Sequence, residues 1–217
     1  MKKAVLLSFV VVMLLNTFVL YAYDTDGIYG TIFSDVPSSH WASEYIYRMH
    51  SEEEKVLEGV GNSLYEPSRN VTRAEFTKMM MKLMQLAPSG DEIPFNDVEY
   101  NDLYRKWLEG AYFYKIVKGT TPEYFGGSEN ITRQDMALII ERALHYTDKT
   151  MSVNPNVKEC IDIDKVGEYA KQSVQFISGI GVLDYDENGA FNPTAYSTRA
   201  ETAEILCKIR DKVKTVF

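Results

Sequence analysis

Between residues 41 and 209, apolar residues recur at helical spacing in six short stretches. Three stretches are sharp: Phe76, Met79, Met80 and Leu83; Met136, Ile139, Ile140 and Ala143; Ile205, Leu206 and Ile209. Steps of three and four lay these residues along one helix face and predict a buried side. Three fainter stretches precede them: Trp41, Tyr45, Ile46 and Met49; Leu103, Trp107, Leu108 and Ala111; Tyr169, Val174 and Ile177. The sharp helices also carry a start signal. Thr72, Thr132 and Thr198 stand three residues before Glu75, Asp135 and Glu201. A threonine oxygen there accepts from an orphan N–H while the acid reaches back. The first and third pairs are capping boxes, and the second is the aspartate variant.

The alternation of faint and sharp helices is an internal repeat. Thr-Arg recurs at 72–73, 132–133 and 198–199, with the arginines 60 and 66 residues apart. An aromatic stands eight residues before each arginine: Tyr65, Phe125 and Phe191. Asp35, Asp97 and Asp162 lie 38, 36 and 37 residues before their arginines. Between these anchors fall Val56-Leu57, Ile116-Val117 and Val182-Leu183. The units are therefore 33–87, 95–147 and 160–212. Segments 88–94 and 148–159, rich in Pro, Gly, Ser, Asn and Asp, read as linkers. A two-helix unit cannot bury its stripe alone, so the units must pack on one another. The expected fold is all-α: three tandem helix-loop-helix repeats with pseudo-threefold symmetry.

Ahead of the repeats, Lys2 and Lys3 introduce an apolar run from Ala4 to Leu20, and Ala22 offers a small residue for cleavage. Segment 1–22 reads as a secretory signal peptide, with an uncleaved membrane anchor as the alternative. Export permits a disulfide between Cys160 and Cys207, but spacing alone leaves that pairing and two buried thiols both open. The net charge of −8 becomes −10 without the two lysines of the signal. An acidic chain without a basic stripe speaks against nucleic acid. His40, His50 and His145 are scattered, with no metal-ligand spacing. Asp184, Asp186 and Asn188-Gly189 imitate the start of a calcium loop, but its twelfth position is Ala195 where a glutamate is required. No nucleophile–base motif or phosphate loop is present, so neither enzymatic turnover nor a cofactor is expected.

The repeated residues resemble the S-layer-homology repeat. Its pattern runs from Phe-x-Asp-Val through His-Trp-Ala, an Ile-Val-x-Gly turn and aromatic-x-Pro to Thr-Arg-Ala-Glu. The first unit shows Phe33-Ser34-Asp35-Val36, His40-Trp41-Ala42, Glu58-Gly59 and Thr72-Arg73-Ala74-Glu75. The second shows Phe95-Asn96-Asp97-Val98, Ile116-Val117-Lys118-Gly119 and Thr132-Arg133. The third shows Phe191-Asn192-Pro193 and Thr198-Arg199-Ala200-Glu201. Departures are Leu103 for the tryptophan, Gln134-Asp135 for Ala-Glu, Cys160 for the phenylalanine and Tyr185 for the turn glycine. The resemblance implies a secreted, non-catalytic module at a bacterial cell wall or S-layer. It would bind secondary cell-wall polysaccharide, often pyruvylated, or peptidoglycan-associated glycan, in grooves between repeats. An envelope protein–protein adaptor, with an S-layer or other envelope protein as partner, is the alternative.

Arg73, Arg133 and Arg199 open their helices, where partial positive charge disfavours a cation unless an anion is near. Each either receives a ligand carboxylate beside the helix N-terminus or pairs with an acid such as Asp35, Asp97 or Asp162. Asp35 and Asp97 join the arginines as ligand-site candidates. Trp41 either stacks on a sugar or fills the core. Gly59 and Gly119 are expected to provide a tight turn with positive φ, or close backbone approach to a ligand.

Overall fold

The computed structural model describes residues 32–51, 55–99, 102–149, 151, 153–154 and 160–214. The signal segment expected at 1–22 lies outside them. Six α-helices are present among the described residues: α1 (Ser43–His50), α2 (Arg73–Leu83), α3 (Arg105–Phe113), α4 (Arg133–Tyr146), α5 (Lys171–Gly179) and α6 (Arg199–Lys214). Short 3₁₀ turns at Ile163–Lys165 and Glu168–Ala170 lead into α5. Two helices fall in each unit, and the all-α expectation holds.

The threonines cap as expected. Thr72 Oγ1 accepts from Glu75 N at 3.2 Å and Glu75 Oε2 accepts from Thr72 N at 2.9 Å. The same reciprocal pair closes α6, at 3.2 and 2.8 Å. On α4, Thr132 Oγ1 accepts from Asp135 N at 3.3 Å. Asp135 is one methylene shorter than glutamate, and its carboxylate turns to the Thr132 hydroxyl and to Tyr169.

Packing of the helices is cyclic. The first helix of each unit lies on the second helix of the unit before it: α3 on α2, α5 on α4, and α1 on α6. The segments just ahead of the caps close the ring through isolated antiparallel bridges, Asn70 with Thr198, Thr72 with Asn130, and Thr132 with Tyr196. Beneath this ring one apolar core runs through all three units, with Tyr65, Phe125 and Phe191 fully buried.

Both thiols are free and buried. Cys160 Sγ donates to Asp162 Oδ1 at 3.2 Å and Cys207 Sγ to the Tyr45 carbonyl at 3.6 Å. The calcium-like run is a turn. Asp186 Oδ1 accepts from Asn188 N and Ala190 N at 2.9 and 3.0 Å, and its Oδ2 from Asn192 Nδ2 at 3.0 Å.

Candidate functional site

The recurring aspartate of each repeat organises its own loop. Asp35 accepts from Tyr65 N and Glu66 N at 2.9 and 2.7 Å. Asp97 accepts from Phe125 N and Gly126 N at 2.7 and 2.8 Å. Asp162 accepts from Phe191 N and Asn192 N at 2.7 and 2.9 Å. The second residue of each pair has φ near +60 or above: 59° at Glu66, 74° at Gly126 and 57° at Asn192. The carboxylate thus pins a left-handed turn that aims the aromatic inward. Burial pushes the Asp162 carboxyl up, but the two amides and the Cys160 thiol outweigh it and hold the pKa below the ordinary value. None of these aspartates pairs with an arginine of the Thr-Arg step.

The helix N-termini are occupied by neighbouring units rather than open to an anion. Arg73 N and Ala74 N donate to Glu129 O and Gly127 O of the second unit. Arg133 N and Gln134 N donate to Ala195 O and Pro193 O of the third. Arg199 N and Ala200 N donate to Arg69 O and Pro67 O of the first. With the threonine cap on the following N–H, the first-turn donors are used up.

The arginine side chains follow the same cycle. The Arg199 guanidinium lies 4.4 Å from the Tyr65 ring centroid. Its Nε and Nη2 donate to Tyr65 O and Glu58 O, each at 2.7 Å. Arg133 lies 4.9 Å over Phe191 and donates to Phe191 O and Asp184 O, each at 2.8 Å. Arg73 lies 5.2 Å over Phe125 and donates Nη2 to Lys118 O at 3.0 Å. Its Nε is buried without a partner. Burial depresses the pKa of Arg73 and of Arg133, against the opposing pull of Asp135 and Glu201 respectively. Each arginine therefore staples its unit to the next by carbonyl bonds and a cation–π contact.

At two unit junctions the arginine faces the cap acid of the neighbouring unit. At the 3/1 junction Arg199 Nη1 stands 3.5 Å from Glu75 Oε1. At the 1/2 junction Arg73 Nη1 stands 3.8 Å from Asp135 Oδ2, and the Tyr169 hydroxyl donates to Asp135 Oδ1 at 2.9 Å. Burial and the Asp135 charge push the Tyr169 hydroxyl up to about 12. At the 2/3 junction Arg133 feels the charge of Glu201. Trp41, Leu103 and Tyr169 do not lie on the buried face of a helix as their spacing suggested. They sit ahead of α1, α3 and α5 with 57%, 83% and 58% of their surface exposed. The groove of about 450 Å³ at the 3/1 junction gathers Arg199, Gly59 and Leu103, and adds Glu58, Lys78 and Tyr104. Sequence reasoning missed these three. Lys78 and Lys82 hold Glu58 at 2.6 and 2.7 Å, and Lys78 lies 5.6 Å over the Tyr104 ring.

Neither Gly59 nor Gly119 has positive φ, contrary to expectation. Close packing requires them instead. A Cβ on Gly59 would stand 2.6 Å from Phe33 Cε1 and 2.8 Å from Leu64 O. One on Gly119 would stand 2.2 Å from Thr121 O and 2.6 Å from Phe95 Cε1.

The model of the S-layer homology domain matches residues 32–77 and 109–137. The chain is an S-layer homology protein. Its third repeat lies outside those matched stretches, but Asp162, Phe191 and Arg199 take the same places as their counterparts. The protein is similar to an endoglucanase of Bacillus sp. (strain KSM-635), 32% identical over 181 residues, which are 83% of this chain and 19% of that enzyme. It is similar to Exoglucanase XynX of Acetivibrio thermocellus, 30% identical over 180 residues, 83% of this chain and 16% of the relative. An S-layer protein of Bacillus thuringiensis subsp. finitimus is 24% identical over 179 residues, 82% of this chain and 21% of its own. The chain spans about a fifth of the length of these relatives. The S-layer homology domain is a non-catalytic module, typically of cell-surface anchoring, and this S-layer homology protein is secreted and associated with the cell wall.

Proposed function

We propose that the protein binds a carboxylate-bearing secondary cell-wall polysaccharide, or a peptidoglycan-associated glycan, in the grooves between its repeats, without turning it over. The observation that carries this reading is the state of Arg73. Its guanidinium is nine-tenths buried, keeps an Nε without a partner and meets its nearest acid only at 3.8 Å. A cation matched so incompletely favours a planar anion that fits its fork. A pyruvate ketal supplies such a carboxylate on a sugar ring. The exposed Tyr169 beside it offers an aromatic face and a hydroxyl. The protein would then tether itself, and any envelope or S-layer protein joined to it, to the wall.

Co-sedimentation with purified sacculi tests this reading. Sacculi are used intact and after mild acid hydrolysis, which removes ketal-linked pyruvate. Wild type is expected to pellet with intact sacculi, and Arg73→Gln, checked by a cooperative melt, to bind at least about tenfold more weakly. Wild type that stays in the supernatant overturns wall binding. Equal pelleting with acid-treated sacculi overturns the carboxylate.

A further inference from the structure

A further concavity lies on the outer side of the second repeat. It holds about 1080 Å³ and is bounded by α3, the turn at 117–122 and the linker before the repeat. Its apolar surface comes from Phe95, Tyr112, Phe113, Val117 and two prolines, Pro94 and Pro122. Phe95 and Tyr112 meet edge-to-face at 5.3 Å, which fixes the Tyr112 ring. Phe113 stands 59% exposed at the mouth. From it a chain of rings continues outward, to Tyr114 at 5.4 Å and on to Tyr146 at 4.7 Å. Among the described residues the other repeats show no such strip. His50 and Ser178 take the place of Tyr112, and Ser51 and Gly179 that of Phe113.

The rim is polar and balanced. Asp91 and Glu92 stand on it with Lys115 and Lys118, and none of the four side chains forms an ion pair with a described residue. Many other lysines are paired, among them Lys78, Lys82, Lys171 and Lys208. Two acids against two lysines give no net charge. Such a cleft matches a neutral ligand with an apolar face and many hydroxyl or amide groups. The cleft also abuts the 1/2 groove. Lys118 and Gly119 form its wall, and the Lys118 carbonyl holds Arg73. A polymer whose anionic substituent lies at Arg73 would pass its next units over Lys118 onto the rings.

We propose that this cleft is a second glycan subsite, which takes neutral, N-acetylated or unsubstituted pyranose units of the wall polymer on Phe113 and Tyr112. It rests on the wall-glycan reading above and extends it from an anion contact to a chain of subsites.

The test uses the full chain as wild type, Phe113→Ala and Arg73→Gln, titrated by pelleting against intact sacculi and against acid-treated, ketal-free sacculi. Phe113 is exposed, so Phe113→Ala is expected to melt within a few degrees of wild type. It should weaken binding to both kinds of sacculi by about tenfold, whereas Arg73→Gln weakens binding to intact sacculi alone. Phe113→Ala binding like wild type overturns the subsite and leaves the wall-glycan reading standing. Wild type binding to neither kind overturns both. A concentration-dependent dimer in sedimentation velocity that Phe113→Ala abolishes assigns the rings to a second copy and overturns the subsite as well.

Discussion

Tyr185 and Cys160 exchange bulk in the third repeat. In the first two units a glycine, Gly59 or Gly119, lies against a phenylalanine, Phe33 or Phe95. Each phenylalanine lies 5.4 Å from the buried aromatic of its own unit, Tyr65 or Phe125. In the third unit the phenylalanine is Cys160 and the glycine is Tyr185, whose ring approaches Phe191 edge-to-face at 6.4 Å. An aromatic ring is kept beside the buried aromatic and its origin is moved to the opposite side of the pocket. Tyr185→Gly alone should leave a cavity and cost about 3 kcal/mol, and Cys160→Phe alone should overpack and cost about 2 kcal/mol. The double variant should recover much of the sum. Urea denaturation of the four proteins measures the coupling, and additive losses would show that the two sites are independent.

The same pocket predicts the effect of one methyl group. Gly119→Ala places a Cβ against the Thr121 and Tyr124 carbonyls, at 2.2 and 2.5 Å. Both partners are backbone, so the turn itself must shift. A loss of about 2 to 3 kcal/mol is expected. Gly90→Ala has nothing within 4 Å and should be neutral. Thermal melts of the two variants give the comparison, and equal melting temperatures would contradict it.

Local signals in the sequence identified the fold, whereas the sites were hidden by distance. Thr72 caps Glu75 across three residues, so the second helices and their caps could be read directly. The apolar stripes likewise foretold burial of Phe76, Met136 and Leu206. Asp35 reaches amides 30 and 31 residues away, and Arg199 reaches carbonyls 134 and 141 residues away. Such partners exist only once the ring of repeats has closed. No spacing rule could show that neighbouring carbonyls fill the helix N-termini, or that Gly59 is there to admit Phe33. The composition of the 3/1 groove shares this origin, since Leu103 and Lys78 come from different units.

Stapling predicts an order of cost for the three arginines. Arg199 is the most enclosed, at 2% exposure, with two carbonyls, a ring and Glu75 around it. Arg199→Ala should cost about 3 to 5 kcal/mol, as loss of a buried charge partner does. Arg133→Ala loses two carbonyl bonds in a more open setting and should cost about 2 kcal/mol. Arg73→Ala gives up one carbonyl bond and a distant acid, and it frees a buried N–H that had no partner. It should cost the least, about 1 kcal/mol. Equilibrium denaturation ranks the variants, and Arg73→Ala as the costliest would refute the stapling account.

Stability should fall on both sides of a neutral plateau, for different reasons. Burial pushes the Glu75 carboxyl up, but Arg69, bound at 2.7 Å, the Thr72 amide and Arg199 outweigh it and lower its pKa. Glu58 is lowered by Lys78 and Lys82 against the same opposition from burial. A carboxylate depressed in the folded state contributes stability above its unfolded pKa, about 4.3 for glutamate, and loses it as pH falls through the folded value. The acid limb should therefore steepen below about pH 4. Tyr169 is raised to about 12. Its contribution is complete below the unfolded value of about 10 and is lost as pH rises towards 12. Denaturation midpoints from pH 3 to 11 should trace that dome. Glu75→Gln should lower the plateau by about 2 kcal/mol and flatten the acid limb, while Tyr169→Phe should flatten the alkaline limb alone. An acid limb unchanged in Glu75→Gln would remove the Glu75–Arg69 pair from the account of acid stability.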